Sequence, residues 1–127
     1  MLKQSRITAT IPVTDIVRAR DFYEKKLGLA VIKEPTEGGI VIQAGGDTSF
    51  YVYQREKSKA DHTLAAFEVN DIEATVSWLN EQGVMMEQYD MDGGIKTNQN
   101  GIATVGRTKS AWFKDPDGNI LGIVQRV

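Results

Sequence analysis

The fold is decided by a stretch of sequence that occurs twice. IPVTDIVRARDFY, residues 11–23, lies over FEVNDIEATVSWL, residues 67–79, without a gap. The shift that carries Asp15 to Asp71 also carries Phe22 to Trp78. Few positions are identical, but apolar and polar residues follow the same order in both copies. A repeated unit of this length indicates two copies of one structural module. The repeat is therefore a stronger indication of the fold than any single motif.

Each copy changes from strand to helix periodicity at its aspartate. Alternate residues before the first aspartate are apolar: Ile7, Ala9, Ile11 and Val13. Apolar residues after each aspartate follow helical spacing and predict one buried stripe per helix; these are Ile16, Ala19, Phe22, Tyr23 and Leu27, then Ile72, Val76 and Leu79. Asp15 and Asp71 are favourable N-caps, since a carboxylate accepts hydrogen bonds from the unpaired first amides. Gly28 and Gly83 are expected to end the helices.

Three extended segments are predicted after each helix. They cover about 30–34, 39–44 and 49–54 in the first copy, and about 84–89, 109–114 and 119–125 in the second. Residues 45–47 and 115–119 carry the glycine, proline and aspartate typical of tight turns. Pro12 lacks an amide donor and is expected at an edge, a bulge or a strand end. The pattern predicts an α+β fold of two tandem βαβββ modules, about 1–60 and 61–127, within one domain.

Composition narrows the functional classes. The 127 residues are 41% hydrophobic and 25% charged, which is typical of one globular domain. Fifteen basic and seventeen acidic residues give a net charge of -2 without a run of like charge. Neither nucleic acid nor a membrane is therefore an expected partner. The absence of cysteine excludes disulfides and thiolate chemistry, and no stretch is typical of a signal peptide or membrane span, so a cytoplasmic location is expected.

The two ends of the repeat resemble a known superfamily. IPVTDI, ARDFY and LGL, within residues 11–29, resemble the module opening of the vicinal oxygen chelate proteins, which include glyoxalase I, bleomycin resistance proteins and extradiol dioxygenases. AWFKDPDGNIL, residues 111–121, resembles the closing hairpin of that family. The resemblance implies curved mixed sheets with helices outside and a concave ligand cleft. It does not identify a reaction, because function depends on the site.

The resemblance also implies where a metal would be bound. Metal-dependent members take one ligand from each of four strands, and the matching positions here are Thr8, Tyr51, Leu64 and Gly122. None of these residues supplies the carboxylate, imidazole or amide oxygen that a divalent cation prefers. We therefore predict a protein without a metal or other cofactor.

The resemblance and strand alternation together predict the wall of the ligand cleft. The alternation that places Gly122 inward also places Ile120 and Val124 inward. Its ligand-binding residues are expected to be Thr8, Thr10, Tyr51, Tyr53, Leu64, Ala66, Glu68, Ser110, Trp112 and Gly122. Aromatic faces, small residues and hydroxyls favour a planar or hydrophobic organic ligand. The alternative for the aromatic residues is packing in the core or at a dimer contact. Glu68 is a candidate general base, with a solvated strand carboxylate as the alternative.

Three other features have a structural and a functional interpretation. His62, the single histidine, lies two residues before Leu64 and so on the same strand face. It is expected to be a solvated residue at the strand entry; the alternative is a metal ligand, which an inward register slip would favour. Residues 90–94 lack the acidic spacing and distal glutamate of a calcium loop, and they predict a turn. The glycine-containing segment 88–108 is long for a connection, which favours a lid over the cleft, with disorder as the alternative.

Three functional hypotheses follow from these patterns. The first is a metal-free binding protein of the bleomycin-resistance kind that holds a small aromatic or amphipathic molecule. The second is a lyase, isomerase or dioxygenase-type enzyme of the same superfamily, and the third is an interaction module with a vestigial cleft. A homodimer is expected because sheet edges and apolar faces are normally covered. The sequence leaves open the ligand, any reaction, and whether one chain or a dimer forms the cleft.

Overall fold

The computed structural model describes residues 1–36, 38–92 and 94–126. The chain forms two compact units, Met1–Lys59 and Ala60–Val127. Each unit contains a four-stranded mixed sheet and a helix that follows its first strand. Within the described residues, no helix is long and apolar enough to cross a membrane.

The first unit has the order β-α-β-β-β. After a short 3₁₀ turn at Leu2–Gln4, its elements are β1 Ala9–Val13, α1 Ile16–Asp21, β2 Ala30–Thr36, β3 Gly39–Gln43 and β4 Ser49–Gln54. The last helical turn, Phe22–Lys26, widens to π-helical geometry. The strands lie in the order β1-β4-β3-β2, with β1 parallel to β4 and the other pairs antiparallel.

The second unit repeats this connectivity. Its elements are β5 Thr63–Glu68, α2 Ile72–Glu81, β6 Ala103–Val105, β7 Thr108–Lys114 and β8 Ile120–Arg126. The strand order is β5-β8-β7-β6, and β5 is parallel to β8, as β1 is to β4 in the first unit. The predicted α+β fold with two βαβββ modules is confirmed.

Both helices begin at the predicted aspartates. The Asp15 carboxylate accepts hydrogen bonds from the backbone amides of Val17 and Arg18, at 3.0 and 3.1 Å. The Asp71 carboxylate accepts one from the amide of Ala74, at 3.0 Å. Such caps stabilise a helix by roughly 1 kcal/mol each. They explain why the chain leaves the strand at the same place in both copies.

The helix stripes pack on their own sheets as predicted. In the first unit, Tyr23 is fully buried and its ring lies 5.6 Å from that of Phe50 on β4, edge to face. In the second unit, the buried stripe of α2 is Ile72, Val76 and Leu79, while the core side chains of its sheet include Phe113 and Leu121. Burial of each such side chain contributes about 1.5–3 kcal/mol, so these stripes hold each helix against its sheet.

Two strand predictions are wrong. Residues 84–89 do not form a strand, and β6 at Ala103–Val105 lies beside β7 instead. Segment 84–89 makes one backbone hydrogen bond to β7, from the Glu87 amide to the Trp112 carbonyl at 2.7 Å. The first strand begins at Ala9, and Ile7 is 98% exposed rather than part of the buried face. Pro12 lies in β1, an edge strand, where its missing donor is tolerated.

The segment between α2 and β7 is folded. It contains β6 and a small hairpin closed by an Asp90–Lys96 bridge, in which the Met91 amide donates to the Ile95 carbonyl at 2.8 Å. Within the turn predicted at 90–94, the Gly94 amide donates to the Met91 carbonyl at 3.0 Å, and Gly93 lies outside the described residues. Most of the 88–108 connection is thus held by specific hydrogen bonds.

The turn predicted at 115–119 is built around a buried carboxylate. One Asp115 side-chain oxygen accepts hydrogen bonds from the amides of Asp117 and Asn119, each at 2.9 Å. The other accepts from the Asn119 side-chain amide at 2.8 Å. Gly118 has φ 82°, which glycine adopts without strain. This turn sets the register in which β7 and β8 pair.

Candidate functional site

In the first unit, three of the four predicted wall residues lie together on one face of the sheet. Thr10 pairs with Tyr51 across β1 and β4, and the Tyr51 and Tyr53 rings stack with centroids 5.9 Å apart and planes 6° apart. Both rings are half-buried, and Thr10 is exposed. Thr8 precedes the strand and is exposed. The face therefore offers an aromatic surface bordered by a threonine hydroxyl.

In the second unit, Ala66, Gly122 and Trp112 form one row across β5, β8 and β7. Glu68 and Ser110 flank Val124 in the next row on the same face. Trp112 is half-buried, while the Glu68 side chain is 76% exposed and forms an ion pair with Arg126. The sheet thus brings together five of the six residues predicted for this unit.

A bulge at the start of β5 changes the predicted alternation. Thr63 pairs with Ile120 and Ala65 pairs with Leu121, so one extra residue, Leu64, lies between them. A Cβ atom placed on Gly122 would lie 3.4 Å from both Thr63 Cγ2 and Ala66 Cβ. Thr63 and Ala66 therefore share the face beside Gly122. Leu64 lies in the bulge itself and is half-buried.

The residues at the four implied metal positions do not fit a metal. The hydroxyls of Thr8 and Tyr51 are poor ligands in their neutral forms, and Leu64 and Gly122 have no side-chain donor atom. In the described part of the chain, no group of three or more His, Asp or Glu side chains could hold a metal ion.

A pocket of about 500 Å³ lies within the second unit at the end of β7 that carries Trp112. Its lining residues come from the β5 entry, the segment after α2, and the β7–β8 hairpin: Ala60, Asp61, His62, Thr63, Glu87, Tyr89, Met91, Ile95, Trp112, Lys114, Gly118 and Ile120. Small-molecule sites typically have volumes of about 300–1,000 Å³. The pocket is thus large enough for a small organic ligand.

The pocket wall is built around an aromatic pair. The rings of Tyr89 and Trp112 lie 5.5 Å apart at 74°, an edge-to-face arrangement. Burial raises the pKa of the Tyr89 hydroxyl, and the neighbouring Glu87 carboxylate raises it further, against an opposing effect of Lys114. Tyr89 is therefore a neutral phenol at physiological pH, and its hydroxyl can donate or accept a hydrogen bond.

Polar groups at the pocket are mostly engaged with neighbours. Lys114 Nζ lies 3.3 Å from Glu87 Oε1, so these opposite charges offset each other. His62 Nδ1 lies 3.2 Å from the Thr63 carbonyl oxygen. Trp112 is the lining residue that the sequence predicted as a ligand contact. Tyr89, Met91 and Ile95 were not predicted individually, although the segment that carries them was identified as a lid.

A second pocket, of about 350 Å³, lies within the first unit between α1 and the β2–β3 hairpin. Its lining includes Ile16, Arg20, Glu34 and Ile40. Arg20 forms ion pairs with Glu34 and with Glu24, the latter at 3.0 Å. None of the predicted site residues lines this pocket.

Comparison with known structures finds the same fold. TnmS3, an antibiotic binding protein from Streptomyces sp. CB03234, is 25% identical with a TM-score of 0.67, and the alignment covers 96% of this chain and 97% of that one. A glyoxalase / bleomycin resistance protein from Catenulispora acidiphila is 24% identical with a TM-score of 0.67 over 96% and 98% of the two chains. The fosfomycin resistance protein FosX from Mesorhizobium loti is 15% identical with a TM-score of 0.66 over 98% and 93%.

Comparison with protein-family profiles identifies the superfamily of the chain. No curated protein matches the chain significantly. The profile of the Glyoxalase/Bleomycin resistance protein/Dioxygenase superfamily, however, matches residues 5–123, which include both modules. The chain therefore belongs to the Glyoxalase/Bleomycin resistance protein/Dioxygenase superfamily.

Proposed function

We propose that this protein binds a small aromatic or amphipathic molecule against Trp112, without a metal ion and without catalysing a reaction. The observation that carries the proposal is the pocket of about 500 Å³ with the Tyr89–Trp112 pair in its wall. The pocket combines two aromatic rings with the apolar side chains of Met91, Ile95 and Ile120. Such a lining favours a ligand with a flat apolar body.

Trp112 is the proposed anchor of the ligand. Its backbone carbonyl accepts the 2.7 Å hydrogen bond from Glu87, and its ring is braced by the edge contact with Tyr89. The indole is therefore held in position before a ligand arrives, and less side-chain entropy is lost on binding. Aromatic contacts contribute about 0.5–1.5 kcal/mol beyond the burial of area.

The hairpin that carries Tyr89, Met91 and Ile95 is the proposed lid, within the segment 88–108. Thr97 stabilises this hairpin through two hydrogen bonds. Its amide donates to the Tyr89 carbonyl at 2.9 Å, and its hydroxyl oxygen accepts a hydrogen bond from the Tyr89 amide at 2.9 Å. Met91 is 53% exposed, so apolar surface at this hairpin is available to cover a ligand. Covering the ligand would remove further apolar area from water.

We propose the remaining predicted wall residues as further ligand contacts. Tyr51 and Tyr53 offer stacked rings on the first sheet, with Thr10 beside them and Thr8 before the strand. On the second sheet, the proposed surface continues from Trp112 through the residues of its own face, Ala66, Glu68, Ser110 and Gly122, with Leu64 in the adjoining bulge.

Binding without a metal is supported by the side chains at the four implied ligand positions, which lack suitable donor atoms. Binding of an antibiotic, as the name of TnmS3 states for that protein, supports a similar role here. The homodimer and the cytoplasmic location remain predictions of the sequence.

The second candidate is an enzyme that uses Glu68 as a general base. A base of this kind needs a position in which burial raises the pKa of the carboxyl group. Glu68 is mostly exposed and ion-paired with Arg126. This environment favours the binding role over the catalytic one.

The proposal is tested by truncating each of the two tryptophans. Trp112→Ala should weaken binding of 2-naphthol, an aromatic probe, by roughly ten- to a hundredfold in isothermal titration calorimetry. Trp78→Ala is the matched control, because Trp78 lies on α2, is 41% exposed and does not line the pocket. Thermal melts establish that both variants fold. Equal affinity of wild type and folded Trp112→Ala, or no probe binding to the wild type, would reject this site.

A further inference from the structure

His62 lines the pocket from a position just before the bulge in β5. In a regular strand, residues 62, 64 and 66 would share one face. The extra residue between Thr63 and Ala65 interrupts this alternation, and the side chain of Thr63 lies with Ala66 beside Gly122. His62 lies at the entry to this irregular strand and lines the same pocket as Trp112. It is the single imidazole of the chain.

The tautomer of His62 follows from its hydrogen bond. Nδ1 lies 3.2 Å from the Thr63 carbonyl oxygen, and a carbonyl oxygen only accepts hydrogen bonds. Nδ1 therefore carries the proton of the neutral ring, and Nε2 is the acceptor. Because Nε2 is the ring nitrogen farther from the backbone, it is the one better placed to reach a ligand.

The charges around His62 favour a neutral ligand. Of the charged lining residues, Lys114 and Glu87 are paired with each other, and Asp61 adds one negative charge. Since Tyr89 is neutral, the lining residues other than His62 carry one net negative charge. An anionic ligand would be repelled by this lining. A neutral ligand with a hydrogen-bond donor would instead match the acceptor Nε2.

On the basis of the function proposed above, we propose that His62 selects the ligand: Nε2 accepts a hydrogen bond from a hydroxyl group of a neutral aromatic molecule that packs on Trp112. The pocket thus distinguishes an aromatic hydroxyl compound from its ether, which has a similar apolar body but no donor.

The test compares 2-naphthol with 2-methoxynaphthalene by calorimetry. Wild type should bind the naphthol about three- to tenfold more tightly than the ether at about pH 8, which corresponds to one net hydrogen bond. His62→Leu should bind the two probes with nearly equal affinity. His62→Gln keeps an acceptor oxygen and should restore part of the preference.

The outcomes separate this inference from the proposed function. An unchanged naphthol-to-ether ratio in His62→Leu would overturn the role of His62. If wild type binds both probes equally and Trp112→Ala weakens both, the aromatic pocket stands and the selection by His62 is rejected. If neither probe binds the wild type, the proposed function and this inference are both rejected. Thermal melts of both His62 variants exclude loss of fold as the cause of a changed ratio.

Discussion

Gly101 allows two segments of the second unit to come into close contact, and an alanine there should be unusually destabilising. Gly101 has φ +84°, and a Cβ atom at this position would lie 2.6 Å from Met86 Cβ and 3.3 Å from the Glu87 carbonyl oxygen. The turn that contains Gly101 is closed by Asn98, whose side-chain oxygen accepts hydrogen bonds from the amides of Asn100 and Ile102. The added methyl group therefore cannot be accommodated without a backbone shift.

Gly106 provides the matched control. It has φ +60°, and a Cβ atom there would meet nothing within 4 Å. Both alanine variants incur the cost of a left-handed backbone, about 1–2 kcal/mol. Overpacking against Met86 adds about 1–3 kcal/mol for Gly101→Ala alone. We expect total losses in the free energy of unfolding of about 2–5 kcal/mol for Gly101→Ala and about 1–2 kcal/mol for Gly106→Ala.

Urea denaturation with a thermal melt measures this difference. For a chain of this size, 1 kcal/mol corresponds to roughly 3–6 °C in Tm, so the two variants should be clearly resolved. Gly101→Ala should also weaken 2-naphthol binding, because displacing Met86 and Glu87 disturbs the hydrogen bond from the Glu87 amide to the Trp112 carbonyl. Equal destabilisation of the two variants would refute the close contact as the reason for glycine at position 101.

Three further predictions concern the site and the assembly. Elemental analysis after chelator-free purification should find no stoichiometric divalent metal, because Thr8, Tyr51, Leu64 and Gly122 lack suitable donors; one metal ion per chain would contradict this. Gly122→Glu should abolish 2-naphthol binding, because it adds a bulky charged side chain that begins 3.7 Å from Trp112 Cδ1, whereas Gly45→Glu, in open space, should bind normally; equal affinity would place the site elsewhere. Sedimentation equilibrium at micromolar concentration should give a homodimer, and a mass of 14.1 kDa would exclude it.

Much of the fold could be predicted because its signals are local. The side chains of Asp15 and Asp71 cap helices through amides two or three residues away. Gly28 and Gly83 adopt the positive φ values, 71° and 83°, that end them. Each of these interactions depends on a few neighbouring residues, so a pattern along the chain is enough to predict it. Repetition of the pattern then predicts that both modules have the same topology.

The position of the ligand wall could be predicted in part for a similar reason. Strand alternation places Trp112, Gly122 and Ala66 correctly on one face because their pairing is regular. The alternation fails at Leu64, where β5 contains an extra residue relative to β8. A bulge depends on how two distant strands pair, and no local pattern around Leu64 marks it.

The position of the edge strand β6 and the residues that line the pocket could not be predicted from the sequence alone. β6 pairs with Thr108, Lys109 and Ser110 of β7, while the Glu87 amide donates to the Trp112 carbonyl further along the same strand. Gly101 lies close to Met86, a contact between residues that are not neighbours in sequence. Tyr89 lies against Trp112, and His62 lines their pocket from the entry to β5. Residue type and periodicity therefore indicate the modules, whereas contacts between segments that are distant in sequence determine which side chains form the site.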